Sequence, residues 1–114
     1  MKIAQLTKFG PPHEGLACVE IDDPDAPAQD EVLARVEAFP INPADLYQCE
    51  GVYAIRPELP ATLGAEGVGV IAAVGSAVDS LHVGDRVIFR DRDNWVQRKT
   101  VMAKDVIKLP GVFQ

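Results

Sequence analysis

The chain has 114 residues, of which 47% are hydrophobic and 25% are charged, and its formal net charge is −6. This length and composition are typical of one globular domain that buries a core without metal ions or disulfides. The acidic balance argues against nucleic acid and anionic membrane surfaces, so we expect neither as a partner.

Three strands are predicted before residue 40. The first two cover residues 3–6 and 16–21, and the sequence Gly10-Pro11-Pro12 separates them. The third covers residues 32–39 and alternates with the period of a strand that has one face in the core. The residues on that predicted inner face are Val32, Ala34, Val36 and Ala38.

A short helix is predicted next, from about residue 43 to about residue 49. Asn42 is a preferred N-cap residue, whose side-chain oxygen accepts an N–H of the first turn. Pro43 suits the first helical position because its ring fixes φ, and Gly51 supplies the stop.

The segment after this helix combines a stiff loop with a glycine-rich strand start. Pro57 and Pro60 stiffen the loop, and Tyr53 lies near its beginning. The glycines at 64, 67 and 69 let the backbone pass close to another part of the chain. A capped helix, an aromatic loop and a glycine-lined strand edge together predict one wall of a cleft.

The C-terminal part reads as further short strands, at residues 68–74, 86–89, 95–101 and 106–109. Many short strands at close spacing, bounded by turn signals, indicate an antiparallel barrel. The fold class predicted from the pattern is therefore mainly β, with one short helix.

Four segments resemble the medium-chain dehydrogenase/reductase superfamily, and specifically its zinc-independent branch of 2-enoyl thioester reductases and quinone oxidoreductases. They are Ile41-Asn42-Pro43-Ala44-Asp45, Gly51-Val52-Tyr53, Pro57-Glu58-Leu59-Pro60-Ala61 and Gly64-Ala65-Glu66-Gly67. The resemblance covers nearly the whole chain but only the first of the family's two domains. It implies that residues 1–114 form a GroES-like, partly open β-barrel.

The second domain of that family, a Rossmann cofactor domain, is expected to be absent from this chain. In the resembled enzymes the polypeptide crosses into it close to where Lys108-Leu109-Pro110 lies here. The resemblance therefore implies that NADPH is held mainly by a part not included here. A truncated product is one explanation, and a naturally short protein is the other.

Gly67-Val68-Gly69-Val70-Ile71-Ala72 formally matches the dinucleotide-binding fingerprint. That fingerprint needs a strand before it and a helix N-terminus directed at the pyrophosphate. A proline-containing loop precedes this match and a β-branched run follows it. We therefore do not predict cofactor binding here.

No metal is predicted. A catalytic zinc needs three protein ligands, and the zinc-dependent branch of the superfamily supplies Cys and His from two segments. This chain has Asn42 and Ala65 at the corresponding positions, and neither side chain replaces those ligands. His13 and His82 lie in turn contexts without partners at ligand spacing, so we expect both at the surface.

Tyr53 is the candidate catalytic residue. The resembled enoyl reductases carry a tyrosine in a Gly-x-Tyr setting, which Gly51-Val52-Tyr53 matches. Hydride addition to the β-carbon of an unsaturated thioester leaves an enolate oxygen and an α-carbon that needs a proton. A phenol with a pKa near ~10 stays protonated at neutral pH and can donate. The alternative is a loop anchor with its hydroxyl in water.

Asn42 is the candidate cofactor-binding residue, because the resemblance places it near the nicotinamide end. Its structural alternative is the N-cap itself, worth about 1 kcal/mol. Three further side chains have structural interpretations: Tyr47 and Trp95 are predicted to pack, and Glu66 to act as a structural acceptor rather than a base.

The predicted function is therefore an NADPH-dependent, zinc-independent reductase of small molecules, with 2-enoyl thioesters ahead of quinones. A stand-alone GroES-like binding or assembly module is the alternative from another class. Cys18 and Cys49 have neither metal-like nor scaffold-like spacing, and the N-terminus lacks a signal-peptide pattern. We expect reduced thiols, a cytoplasmic protein, and a possible homodimer at full length.

Overall fold

The computed structural model describes residues 1–54 and 56–111. It contains eight strands: β1 (Lys2–Leu6), β2 (Leu16–Glu20), β3 (Glu31–Ala38), β4 (Ala61–Thr62), β5 (Val68–Val74), β6 (Arg86–Phe89), β7 (Arg98–Met102) and β8 (Val106–Lys108). Two α-helices and one 3-10 turn complete it: α1 (Pro12–Gly15), α2 (Pro43–Glu50) and Ala103–Asp105.

The strands form two sheets that do not close into one barrel. The smaller has the order β2-β1-β4 and the larger has the order β7-β3-β5-β6-β8, and all pairs are antiparallel. An isolated bridge between Ile3 and Val96 joins the sheets. The predicted partly open, mainly β architecture is confirmed.

Two hydrophobic clusters form the core. The first lies on the larger sheet and contains Val32, Ala34, Ile71, Leu81, Val87, Phe89 and Val101. The second lies between the smaller sheet and α2 and contains Leu6, Cys49, Leu63 and Trp95. The predicted packing role of Trp95 is confirmed, since its residue exposure is 4%.

The predicted inner face of β3 is only partly correct. Val32 and Ala34 are fully buried, but Val36 is half-buried and Ala38 is exposed. The pairing of β3 with β5 shifts register between Val36 and Ala38. A register irregularity of this kind breaks the strict alternation from which the face was predicted.

Other differences concern short elements. The prediction of a strand over residues 95–101 began too early, because β7 starts at Arg98 and Val96 forms only a single bridge. The two-residue strand β4 and the one-turn helix α1 were not predicted. Both are too short to carry a recognisable hydrophobic period.

Candidate functional site

The helix α2 begins and ends as predicted, except that it extends one residue further, to Glu50. Pro43 occupies its first turn and Gly51 ends it at a left-handed φ of 76°. The N–H groups of Gly51 and Val52 donate to the carbonyls of Gln48 and Tyr47, both at 3.1 Å. This closure directs the chain from α2 into the loop that carries Tyr53.

The cap at the start of α2 is the predicted one. Asn42 is the N-cap residue and pairs with Asp45 in a capping box, although its side chain makes no cap hydrogen bond of full geometry. The Asp45 N–H donates instead to the Asn42 backbone carbonyl at 3.0 Å. The Asp45 N–H is therefore satisfied mainly by the Asn42 backbone carbonyl, with the half-buried Asn42 side chain facing it in the capping box.

Asp45 makes the reciprocal contact and a second one besides. Its Oδ2 accepts the backbone N–H of Asn42 at 2.9 Å, and its Oδ1 accepts the backbone N–H of Ala65 at 3.1 Å. The residue is 1% exposed. One buried carboxylate thus joins the two positions at which the zinc-dependent branch carries metal ligands.

The segment around Gly64 packs tightly against the chain at 94–95. Gly64 has a φ of 115°, and a Cβ there would lie 2.6 Å from Trp95 Cδ1 and 2.9 Å from the Trp95 nitrogen. A Cβ at Gly67 or Gly69 would likewise meet neighbouring atoms, among them Phe89. The predicted close approaches of these glycines are confirmed.

A buried polar network supports this segment from the other side. Asn94 is fully buried, and its Nδ2 donates to the carbonyls of Gly64 at 3.2 Å and Asp91 at 2.9 Å. Lys99 Nζ donates to Asn94 Oδ1, Asp91 Oδ1 and the Arg92 carbonyl at 2.7, 2.8 and 3.1 Å. Sequence reasoning missed this network, since a strand lysine is normally exposed.

An open groove of about 730 Å³ begins beside this segment. Its walls come from the end of β3, the start of β5 and the end of β6. The lining residues are Ala38, Phe39, Pro40, Ala65, Glu66, Gly67, Val68, Ile88, Phe89 and Arg90. Phe39 and Ile88 are 41% and 39% exposed, which gives the groove accessible apolar surface. A groove of this kind can hold a small apolar group.

Tyr53 and Asn42 lie at opposite ends of α2, about 12 Å of helix apart. Tyr53 is half-buried, and within the described residues its hydroxyl forms no hydrogen bond. Neither residue lines the groove, although Pro40 and Ala65 beside Asn42 do. Asn42 is therefore linked to the groove's wall through Asp45 and Ala65, and no such link to Tyr53 is found among the described residues.

Two side chains depart from their predicted structural roles. Tyr47 is 51% exposed, because it lies on the side of α2 away from the core, so the packing prediction is wrong. Glu66 is exposed at the groove, and no hydrogen bond to its carboxylate is found in the part of the chain that the structure describes. Within residues 1–54 and 56–111, it is therefore not the acceptor that we predicted.

The titratable groups near α2 give the site its electrostatic character. Burial, and then the carboxylate of Asp45, raise the pKa of the Cys49 thiol above its ordinary value. A thiol with a raised pKa is a poor nucleophile at neutral pH. Between strands β3 and β6, a hydrogen bond from Arg86 lowers the pKa of Glu37. The Arg86 Nε to Glu37 Oε1 distance is 2.8 Å.

Residues 1–54 and 56–111 contain no group of three or more His, Cys, Asp or Glu side chains placed to hold a metal ion. Over the same residues, no helix has the length and apolar character that crossing a membrane requires. His13 and His82 are exposed at the surface, as predicted, with side-chain exposures of 81% and 72%.

The alcohol dehydrogenase GroES-like domain family model matches residues 28–111. A mitochondrial enoyl-acyl-carrier-protein reductase from Caenorhabditis elegans is 48% identical over 77 residues, which are 68% of this chain and 22% of that protein. Among solved structures, the Escherichia coli quinone oxidoreductase complexed with NADPH superposes with a TM-score of 0.85 at 32% identity, over 98% of this chain and 34% of that one.

The Etr1p complex with NADP and crotonyl-CoA gives a TM-score of 0.79 at 34% identity, and the match covers 96% of this chain and 33% of that one. Etr1p is a mitochondrial 2-enoyl thioester reductase from Candida tropicalis. The chain thus spans between about a fifth and a third of the length of these three proteins.

Proposed function

Because this chain belongs to the alcohol dehydrogenase GroES-like domain family, we propose that it forms one domain of an NADPH-dependent, zinc-independent reductase of 2-enoyl thioesters. The medium-chain dehydrogenase/reductase membership predicted from sequence is thereby confirmed. The substrate class rests on the enoyl reductases among its relatives, together with the Gly51-Val52-Tyr53 segment.

One observation carries the zinc-independent part of the proposal. The amide of Asn42 and the methyl group of Ala65 stand where the zinc-dependent branch has ligands, and Asp45 holds both backbones together. Zinc in proteins takes thiolate, imidazole or carboxylate ligands. The Asp45 carboxylate already accepts hydrogen bonds from two N–H donors, so Asn42, Asp45 and Ala65 do not form a ligand set for zinc.

The surroundings of Asn42 suit the nicotinamide end of the cofactor. The oxygen of the half-buried Asn42 amide faces the first turn of α2, which leaves its NH₂ group able to donate to a carboxamide oxygen. NADPH would supply a hydride to the β-carbon of the unsaturated thioester. Asn42 would orient that end of the cofactor, and this orientation supplies much of the rate.

Tyr53 would act on the thioester substrate instead of the cofactor. When the β-carbon gains hydride, the electron pair of the C=C bond moves toward the thioester oxygen, and the α-carbon later takes a proton. Tyr53 would donate a hydrogen bond to that oxygen or a proton to that carbon. The saturated thioester then forms from one hydride and one proton.

Quinone reduction is the second candidate, favoured by the match to the Escherichia coli quinone oxidoreductase over 98% of this chain. The groove's exposed Phe39 and Ile88 would stack against a flat quinone ring as readily as against an acyl chain. The two substrates differ in the charge that develops, because a quinone gains it on both ring oxygens. A binding or assembly module without chemistry remains the alternative of another class.

The remainder of the protein would supply what this chain does not. We propose that a Rossmann domain outside residues 1–114 holds most of the dinucleotide, with phosphates at a helix N-terminus. The 114 residues alone would then turn over no NADPH.

A homodimer and a cytoplasmic location complete the proposal, with the mitochondrion as the alternative raised by the relatives' names. Light scattering of the natural-length protein and cell fractionation test these two points.

The proposal is tested by purifying the natural-length protein and following NADPH oxidation with crotonyl thioester and with 1,4-benzoquinone. We expect a higher kcat/KM for the thioester and the same rates after treatment with a strong chelator. A preference for the quinone would support the second candidate. Loss of activity on chelation would contradict the zinc-independent assignment, and no turnover of either substrate would favour the binding module.

A further inference from the structure

Asp45 is the one fully buried carboxylate whose two oxygens contact two different elements among the described residues. Oδ2 accepts from Asn42 at the start of α2, and Oδ1 accepts from Ala65, which is 20 positions further along the chain. The residue is 1% exposed and lies beside the fully buried Cys49. The contact to Ala65 is therefore a tertiary one, which helix capping alone does not need.

We propose that Asp45 is a positioning residue that fixes Asn42 against the wall formed by residues 64–67. The inference rests on the proposed function, because it assigns Asn42 to the cofactor. Asp45 touches neither cofactor nor substrate. It acts by holding two backbone N–H groups in place, that of Asn42 and that of Ala65, which lines the groove.

The Asp45 carboxylate suits a site with two N–H donors better than an amide would. A carboxylate has acceptor oxygens on both sides, whereas an amide has one acceptor and turns its NH₂ toward the second donor. Among residues 1–54 and 56–111, no Lys or Arg forms an ion pair with Asp45. Its charge lies instead at the positive end of the α2 dipole, within the first turn.

The wall is held from the other side by an independent contact. Asn94 donates to the carbonyl of Gly64 through both its backbone N–H and its Nδ2, each at 3.2 Å. Loss of the Asp45 contact would free the Ala65 N–H while Gly64 stays attached. The consequence is a local change of the site in a protein that still folds.

The test uses the natural-length protein and the variant Asp45→Asn, with NADPH binding measured by fluorescence. We expect the Kd for NADPH to rise up to about tenfold, because a displaced Asn42 loses its hydrogen bonding to the nicotinamide end and one such bond is worth about that factor. We also expect faster amide hydrogen exchange at Ala65, with the Trp95 amide unchanged because its acceptor, the Leu63 carbonyl, is untouched.

Asp85→Asn is the matched control. Asp85 Oδ2 accepts the His82 N–H at 2.8 Å, three residues before it, in the same local geometry as Asp45 with Asn42. It lies outside the groove. We expect Asp85→Asn to alter stability without altering the Kd for NADPH.

A double-mutant cycle with Asn42→Ala separates positioning from general stability. If Asp45 acts through Asn42, then Asp45→Asn has little further effect on the Kd for NADPH once Asn42 is alanine. Fully additive effects would overturn the inference, as would a destabilised Asp45→Asn that binds NADPH like the wild type. If Asp45→Asn fails to fold, amide hydrogen exchange in the wild-type protein provides the test. An Ala65 amide that exchanges as fast as a solvent-exposed amide would then overturn the inference.

Failure of the proposed function gives a different result. A wild-type protein that binds no NADPH would overturn both the proposed function and this inference. A wild-type protein that binds NADPH and reduces the thioester, with an Asp45→Asn variant that does the same equally well, would overturn this inference alone.

Discussion

Lys99 Nζ lies 2.7 Å from Asn94 Oδ1, and both residues are buried. The ammonium has two further acceptors, Asp91 Oδ1 and the Arg92 carbonyl, so all three of its donors are satisfied. Asn94 in turn holds the Gly64 carbonyl. The buried Lys99 ammonium therefore supports the candidate site indirectly, through Asn94 and the Gly64 carbonyl.

Replacement of this cation should be costly. Lys99→Met keeps the length of the side chain but leaves Asn94 Oδ1 and the Asp91 carboxylate without their donor. Because the Asp91 side chain is 36% exposed, water partly compensates, and we expect a loss of about 2–3 kcal/mol. Urea unfolding measures it. Lys104→Met, in the exposed 3-10 turn, is the control, and equal losses in both variants would contradict the network's role.

Gly64 and Gly84 distinguish close approach from backbone strain. Both have a left-handed φ, 115° and 94°, but a Cβ meets Trp95 at Gly64 and nothing within 4 Å at Gly84. Gly84→Ala should cost about 1–2 kcal/mol from strain alone. Gly64→Ala adds a backbone clash, so we expect at least about 3 kcal/mol. Equal costs in chemical denaturation would mean that the segment moves freely away from Trp95.

The two cysteines should differ in reactivity. Cys18 is exposed and Cys49 is fully buried, and both are free thiols. At neutral pH we expect a thiol reagent to label Cys18 at once and Cys49 about 10²-fold more slowly, through transient opening. Cys18→Ala identifies the slow phase, and rapid labelling of that variant would contradict the burial of Cys49.

Cys49 also predicts an alkaline effect on stability. Its pKa in the folded protein lies above the ordinary 9.0, so the folded state holds this proton more tightly than the unfolded chain. The resulting stability is complete below the unfolded pKa and is lost as the pH rises through the folded pKa. Unfolding free energies at pH 7 and pH 10 should therefore differ more in the wild type than in Cys49→Ala. An identical drop in both would contradict the shift.

Asp93 is a site for stabilisation. It has a φ of 70°, which asparagine tolerates well, and desolvation raises the pKa of its carboxyl despite the nearby Lys99. A raised carboxyl pKa destabilises the fold at neutral pH, and the penalty disappears as the pH falls through the folded pKa. Because Asp93 is exposed as a residue, we expect Asp93→Asn to gain only about 0.5 kcal/mol at pH 7. The gain should vanish near pH 3, and the exposed Asp79→Asn should show none.

Local sequence signals were enough for α2 and its surroundings. The Asn42-Pro43 start, the Gly51 stop and the glycines at 64 and 67 each depend on the chain's own conformation or on the absence of a Cβ. The Asn42…Asp45 spacing is also that of a capping box, so the first contact of Asp45 was within reach of the sequence.

The remaining features depend on contacts between distant parts of the chain. Nothing in the sequence pairs Asp45 with Ala65, and nothing marks Lys99 as the buried member of the Arg98-Lys99 pair. The Asp45 N–H donates to the Asn42 backbone carbonyl, in a hydrogen bond whose geometry no residue type specifies. The role of Tyr53 likewise depends on what faces its loop in the natural-length protein.

The role of Tyr53 in the reaction is tested most directly by the kcat of Tyr53→Phe in the natural-length protein, with NADPH and crotonyl thioester. Loss of one transition-state donor should lower kcat about 10²-fold and leave the KM for NADPH nearly unchanged. Tyr47→Phe removes the chain's other tyrosine hydroxyl from the exposed side of α2, and its kcat should stay within about twofold of the wild type. A Tyr53→Phe variant with wild-type kcat would contradict the assignment of Tyr53 to the reaction.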